Sequence, residues 1–376
     1  MWKTAIEQAL KITKANTERF AGKFPHVSDD GKRYTTVNNT DWTEGFWSGI
    51  LWLSYEYSND EAFRAAALET VESFRRRMER NVALDHHDIG FLYSPSAKAH
   101  WILERDESAK ALALQAADAL MRRWRETPQI IQAWGPENDP ENGGRIIIDC
   151  LMNLPLLHWA FEQTGNEKYR KAAEIHTEKS RRFLVRGDHS SYHTFYFDVN
   201  TGDSVRGGTH QGYRDGSTWT RGQAWGIYGF ALAYRYLQRP EFLEIAKKQA
   251  LFFIERLPED NVVYWDFDVP QTPESKRDSS ASAIAAAGML EIAEWLDQND
   301  PDREVILDAV HRSMTSLVQN YSSKGDEEGL LKHGSYSVRA GVSPDDFVIW
   351  GDYFYLEALM RLEKGIPGYW YERSSS

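Results

Sequence analysis

The feature that most constrains this chain is a unit that recurs at a loose period of about fifty to seventy residues, read from its apolar runs. Each unit opens with a loop of Gly, Ser, Asp and aromatic residues. An apolar helix follows, then a tight turn, then a charged amphipathic helix. The first unit is FWSGILWLSYEY, the turn Ser58-Asn59-Asp60, then EAFRAAALETVESFRRRMER. SAKAHWILE and ESAKALALQAADALMRRW flank Arg105-Asp106, and DCLMNLPLLHWAFEQ and EKYRKAAEIHTEKSRRFL flank Thr164-Gly165-Asn166. RGQAWGIYGFALAYRYL and EFLEIAKKQALFFIERL flank Arg239-Pro240, and SSASAIAAAGMLEIAEWL and DREVILDAVHRSMTSLVQN flank Asp300-Pro301. A sixth apolar helix, WGDYFYLEALMRLE, ends near Gly365 with no charged helix after it. Residues 2–20, amphipathic and at the other end of the chain, supply the missing partner.

Helices apolar nearly all round are buried, and helices with one apolar stripe lie on a surface. Six of each predict an all-α closed double ring, an (α/α)6 barrel, with the N-terminal helix in the last outer place. No Pro/Ser linker or shift of composition divides the sequence, so residues 1–376 are read as one domain. Gly49, Gly226, Gly229 and Gly288 fall in or near the starts of the apolar helices. Each costs about 1 kcal/mol against Ala there, which predicts close packing at those points. The longer inserts, residues 185–220 and 258–278, carry YHTFYFD and VVYWDFDV and read as short β-hairpins.

Composition narrows the function. The chain has 44 basic and 56 acidic residues, a net charge of −12, which argues against a nucleic-acid partner. No apolar run is long enough to span a membrane, and the start lacks the pattern of a signal peptide. The one cysteine, Cys150, precludes an internal disulfide and suits a reducing cytoplasm. Aromatic residues are plentiful, with 14 Trp and 18 Tyr, and several Trp stand among Gly, Asp and Thr. Such rings fill a core or line a cleft, and a cleft of flat rings suits the faces of sugars.

In a ring of this kind the inner helices run parallel, so the loops that lead into them gather at one mouth. LDHHDIGFLY, GGRIIID, TWTRGQAW, KRDSS, NTDWTEGFW and SPDDFVIWGD all meet there. Helix N-termini at the same mouth favour an anionic ligand despite the net charge. Asp149 follows three isoleucines and precedes an apolar helix. Desolvation there raises a carboxyl pKa toward acid/base use, although position alone favours a helix N-cap. Asp88 lies before Ser94-Pro95, which reads as the cap and first position of the second inner helix, so Asp88 is not that cap. It is either a loop staple or a functional carboxylate. The His86-His87-Asp88 cluster lacks HExxH or CxxC support, and no metal is expected. Arg221, between Trp219 and Trp225, requires an anion, either a substrate carboxylate or an internal Asp. His193 and Gln211 suit sugar hydroxyls or purely structural bonds. No nucleotide-binding or serine-hydrolase motif stands in a usable context, and no cofactor is expected.

NTDWTEGFWSGILWL, LDHHDIGFLYS, IIQAWGP, DPENGGRIIIDCL, SSYHTFYFD, RGGTHQG, DGSTWTRGQAWGIYGFAL, RDSSASAI and IWGDYFYLEAL with GYWYER together resemble the unsaturated glucuronyl hydrolases, glycoside hydrolase family 88. The resemblance runs from the first helix to the last residues and is weakest over 322–345 and after Glu372. It implies an (α/α)6 barrel acting on oligosaccharides left by polysaccharide lyases, which carry a 4,5-unsaturated uronic acid at the non-reducing end. Water adds across the C4=C5 vinyl ether, and the resulting hemiketal opens with loss of the glycosidic partner. By its match to the family motif, Asp149 is the general acid/base and Asp88 the second essential carboxylate. Trp42, Trp134, Trp219 and Trp225 match positions lining the sugar pocket, and His87, His193, Gln211 and Arg221 match polar positions around the unsaturated ring. Arg221 is assigned to the uronate carboxylate and Tyr336 to a C-terminal loop position near the substrate. An unsaturated rhamnogalacturonyl hydrolase or a sugar epimerase on the same fold is the alternative.

Overall fold

The computed structural model describes residues 1–373, so the last residues of the tail after Glu372 lie outside the described chain. The apolar helices form as the pattern predicts: α2 (Glu44–Ser58), α4 and α5 (Ile89–Tyr93 and Ala99–Glu104), α7 (Pro155–Thr164), α9 (Thr220–Leu237), α11 (Ser279–Trp295) and α13 (Ile349–Lys364). The charged helices are α3 (Glu61–Glu79), α6 (Glu107–Met121), α8 (Glu167–Lys179), α10 (Pro240–Ile254) and α12 (Pro301–Ser316). Helix α1 (Trp2–Phe20) packs on α13 and completes the outer ring. The inner helices pack neighbour to neighbour, and α13 packs back on α2, so the ring closes.

The turns between inner and outer helices repeat one piece of chemistry. Asn59, Arg105, Gly165 and Gln238 end inner helices in the left-handed conformation, which releases the chain from the helix. A capping side chain then starts the outer helix. Asp60 accepts from the Ala62 N–H at 3.0 Å, Asp106 from Ala109 at 2.8 Å, Asn166 from Lys168 at 3.1 Å and Asp300 from Asp302 at 2.9 Å. The inner-helix glycines lie where neighbours crowd: a Cβ at Gly229 would overlap Leu151, and one at Gly288 would overlap Tyr228.

Three expectations are corrected. The second inner helix starts at Ile89 and not at Ser94. Pro95 lies inside it, where the wider π-type turn Ser94–Lys98 absorbs the missing N–H. Asp149 stands in a 3₁₀ turn, Ile148–Met152, and α7 begins only at Pro155, so Asp149 does not cap an α-helix. The first insert forms the expected hairpin, β6 (Thr194–Phe197) with β7 (Ser204–Gly208), but VVYWDFDV forms no ladder. There Tyr264 bridges Arg277, while Asp266 bridges Trp219 and accepts from the Tyr213 N–H and the Ser217 hydroxyl at 2.9 and 2.7 Å. The segment staples a loop instead of extending a sheet.

Strands that the pattern did not announce position the mouth. β5 (Arg145–Ile147) pairs antiparallel with β6, Arg145 opposite Tyr196 and Ile147 opposite Thr194. β1 (Phe24–Ser28) pairs with β2 (Tyr34–Val37), and β3 (Trp124–Arg125) with β4 (Ile130–Ile131). No described helix is long and apolar enough to cross a membrane.

Candidate active site

The β5–β6 pairing leads directly into the 3₁₀ turn and fixes Asp149 beside His193. The Ile148 N–H donates to the His193 carbonyl at 3.0 Å. His193 Nδ1 accepts from the backbone N–H groups of His210 and Gln211 at 3.0 and 3.2 Å. An acceptor Nδ1 leaves the proton of the neutral ring on Nε2, so His193 presents a donor. Burial holds this imidazole well below its usual pKa, with nearby His210, Arg145 and Arg221 adding to the effect. Its ring lies 4.4 Å from the Trp219 centroid.

Asp149 Oδ1 is buried and has no hydrogen-bond partner among the described residues. Burial pushes the carboxyl up to about 7, opposed by the charge of Arg221. Asp88 occupies the first position before α4, but its side chain caps nothing. Burial drives its pKa well up, and the charges of Asp149 and Asp41 add to this. His87 Nε2 lies 3.3 Å from Asp88 Oδ1, and His86 Nδ1 accepts from the Asp88 N–H at 3.1 Å. Desolvation holds both imidazoles below their usual range, His86 at about 4. His87 Nδ1, like Asp149 Oδ1, is buried without a partner. The pair of carboxyls therefore sits largely desolvated but still open to the mouth, among histidines held neutral, the arrangement that keeps a proton available near neutral pH.

Around this pair the other expected residues form a connected wall. Trp134 meets His210 edge-on at 5.5 Å. The Arg221 guanidinium lies 4.6 Å from the Trp219 ring and 5.1 Å from Trp350. Trp42 donates its Nε1–H to the Tyr336 hydroxyl at 3.1 Å and leans on Trp350 at 5.0 Å. Phe91, three residues after Asp88, touches both Trp42 and Trp225. Residues from every inner-helix entrance thus meet at one mouth.

Two placements differ from expectation. Arg221 is buried and its terminal N–H groups are taken from inside. Nη1 donates to Asp278 at 2.8 Å and to the Ser335 carbonyl, and Nη2 donates to Gln211 Oε1 and the Tyr336 carbonyl, each at 2.7 Å. Asp278 also caps α11 and accepts from the Ser280 N–H at 3.1 Å. The internal-Asp alternative is the one realised, and Arg221 orients Gln211 so that its amide nitrogen faces outward from the ion pair. Trp225 is fully buried between Phe91 and Phe354, with its Nε1–H unpartnered. It stands behind the wall, and only that N–H is left to offer.

Sequence reasoning missed Asn153, Asp278 and Arg145, and it read Trp350 only as one of the tryptophans that could line a cleft or fill a core. Arg145 lies 4.4 Å from the Trp134 ring and 5.2 Å from Tyr196, covering one face of Trp134. Its place in DPENGGRIIID, two strand positions from Ile147, was the available signal. Among the described residues no three His, Cys, Asp or Glu side chains gather as metal ligands would.

The profile described as Glycosyl Hydrolase Family 88 matches residues 16–363. The chain belongs to this family. It is 64% identical over 375 residues to the unsaturated glucuronyl hydrolase of Bacillus sp. strain GL1, covering 99% of this chain and 100% of that one. The crystal structure of the Bacillus sp. GL1 enzyme, described as responsible for glycosaminoglycan degradation, superposes with a TM-score of 0.98 and full coverage of both chains. An unsaturated chondroitin disaccharide hydrolase of Streptococcus pyogenes serotype M1 is 45% identical, over 97% of this chain and 92% of its own. A mutant unsaturated glucuronyl hydrolase from Streptococcus agalactiae, complexed with dGlcA-GalNAc6S, is 41% identical with a TM-score of 0.87, covering 98% of this chain and 93% of that one.

Proposed function

We propose that this chain is an unsaturated glucuronyl hydrolase, built as a single catalytic barrel and working in the cytoplasm on unsaturated oligosaccharides. The observation that carries the reading is the Asp88–Asp149 pair: two largely buried carboxyls, one with an unpartnered oxygen and pushed up by burial to about 7. Family membership and the 64% identical Bacillus enzyme support the substrate class.

In this reading Asp149, protonated near neutral pH, gives its proton to C4 of the electron-rich ring double bond. Positive charge develops at C5 and the ring oxygen. The Asp149 carboxylate then takes a proton from the water that attacks C5, so the residue ends the step as it began. The hemiketal formed at C5 opens, and the rearranged keto acid parts from its glycosidic partner. Asp88 accepts from sugar hydroxyls, and its like-charge coupling to Asp149 helps to keep a proton on the pair. This differs from ordinary glycoside hydrolysis, in which two carboxyls flank the anomeric carbon. The uronate carboxylate is met by neutral donors, His193 Nε2–H and the Gln211 amide, with the Arg221 charge standing behind Gln211. Trp42, Trp134 and Trp219 supply flat walls for the sugar, His87 holds the Asp88 carboxylate, Tyr336 closes the side nearest Trp42, and Trp225 backs the floor of the cleft.

The test is ultraviolet absorbance of a lyase-generated unsaturated disaccharide incubated with the protein. The C4=C5 bond conjugated to the carboxylate absorbs, and hydration removes it. Loss of absorbance with release of the partner sugar is expected. Constant absorbance with unsulfated chondroitin and gellan products, against turnover of pectin fragments, points to the rhamnogalacturonyl alternative; constant absorbance with all three rejects the reading.

A further inference from the structure

One buried side chain joins the two segments that carry the carboxyls and belongs to no role described so far. Asn153 is wholly buried, just after the 3₁₀ turn that holds Asp149. Its Oδ1 accepts from the Phe91 N–H at 2.7 Å, a free donor at the start of α4. That bond fixes the orientation of the amide, because only an oxygen accepts there. Nδ2 then faces the other way and donates to the Asp149 carbonyl at 3.2 Å. The same amide acts on Asp88, where its donor opposes the upward drive of burial and of Asp149. The backbone is shaped for this contact: a Cβ at Gly90 would overlap the Cα, carbonyl oxygen and Cβ of Asn153.

We propose that Asn153 is a positioning residue for the reaction: its amide ties the start of α4, which directly follows Asp88, to the Asp149 backbone and so fixes the separation of the segments that carry the two carboxyls. The proposal rests on the reading of this pair as the acid/base site. Loops from different parts of the chain carry Asp88 and Asp149, and nothing covalent sets their distance. A hydrogen bond to Asp88 also favours its ionised form. Without that donor Asp88 holds a proton at higher pH, and the pair comes to share its charge differently. The titratable groups facing Asp88 are Asp41, His86, His87, Asp149, Cys150 and Tyr336.

The experiment compares Asn153→Ala and Asn153→Ser with the wild type in kcat, KM, thermal midpoint and the pH profile of kcat. Asn153→Ala is expected to lower kcat about 100-fold, as misplacement of reacting groups does, with KM nearly unchanged. The acid limb of the profile moves to higher pH, and Asn153→Ser, which keeps a hydroxyl donor, recovers part of both. A folded variant whose kcat falls while the acid limb stays in place overturns the proposal. So does failure of both variants to fold, since Asn153 would then be a folding residue first. The carboxyl pKa of Asp88, read by ¹³C NMR titration and assigned with Asp88→Asn, needs no turnover. It therefore tests the Asn153 coupling even if the unsaturated disaccharide proves not to be the substrate.

Discussion

The two ends of the barrel differ in how they hold Glu357 and Asp149, two buried carboxyls on inner-ring segments. At the floor, where the inner helices end, carboxylates are saturated. Glu291 accepts from Arg235 at 2.5 Å and from Arg361 and Tyr371, each at 3.1 Å. Glu357 accepts from Tyr228, Tyr353 and Trp370 at 2.7–2.9 Å. Glu372 accepts from Trp101, Trp159 and Arg105, and Lys98 donates to the Trp370 carbonyl at 2.6 Å. The C-terminal segment thereby plugs the ring, with Trp370 stacked on Phe354. At the mouth, Asp149 Oδ1, His87 Nδ1 and Trp225 Nε1 are buried and left without partners. A buried polar group costs free energy unless it is bonded. The floor's carboxylates are therefore disposed for stability, even though Arg361 Nε and His158 Nε2 are buried there without partners, whereas at the mouth it is a carboxylate oxygen that is left open.

The largest effect should come from the mouth. Asp149→Asn removes the proposed proton donor while keeping the shape, and turnover of the unsaturated disaccharide should fall at least 1000-fold, roughly the upper part of what acid/base catalysis supplies. Ligand binding should survive. Thermal stability at pH 8 should rise, because the mutation removes a carboxyl whose ionisation the fold opposes. Retention of more than a few per cent of turnover would remove Asp149 from its role, and a lower melting temperature would break the contrast between the two ends.

The next effect belongs to the floor. Trp370→Ala deletes the ring stacked on Phe354 and leaves Glu357 short of a donor. The cost should be about 3–5 kcal/mol, seen as a lower midpoint in denaturant. At a temperature where the variant is folded, kcat should stay within a few-fold of the wild type. A folded Trp370→Ala protein with kcat down 100-fold would mean that the plug takes part in the chemistry, and the division between the ends would fail.

What the sequence announced and what it hid follow the same division of physical causes. Periodicity and turn chemistry are local, so the six helix pairs, the capping Asp60 and Asp106 and the gathering of loops at one mouth were legible. Asp88 was legible as a candidate because local rules give its carboxylate no capping task, whereas position alone favoured an N-cap for Asp149 and the match to the family motif singled it out. The bonds of Asn153 to the Phe91 N–H and the Asp149 carbonyl were hidden, since a lone Asn in DCLMNLP carries no signal of what it will touch. The partners of Arg221 were hidden for the same reason: two of the four are backbone carbonyls, at Ser335 and Tyr336, which any residue offers. Pro95 misled because a proline at a helix start is the commoner case, and the π-type turn that accommodates it depends on packing within the ring.

The smallest of these effects is the dependence on pH, and it sharpens the comparison most finely. Asp149 is raised from an ordinary carboxyl value of 3.8 to about 7 in the folded chain. Below about pH 4 both folded and unfolded chains carry the proton there, and the group makes no difference to stability. Between about pH 4 and 7 the unfolded chain ionises while the folded chain does not, so this group lowers stability by up to roughly 1.4 kcal/mol per pH unit across that range. Above 7 the penalty is complete and constant. The same titration removes the proton donor, so kcat should fall about tenfold per pH unit on the alkaline side of 7. In Asp149→Asn that slope in stability should vanish, while Glu357→Gln at the floor should leave the alkaline limb of wild-type kcat where it is. Melting curves and initial rates across pH 5–9 check both. A limb that moves with the floor substitution would show that the two ends share one titration, and the unpartnered oxygen of Asp149 would no longer account for it.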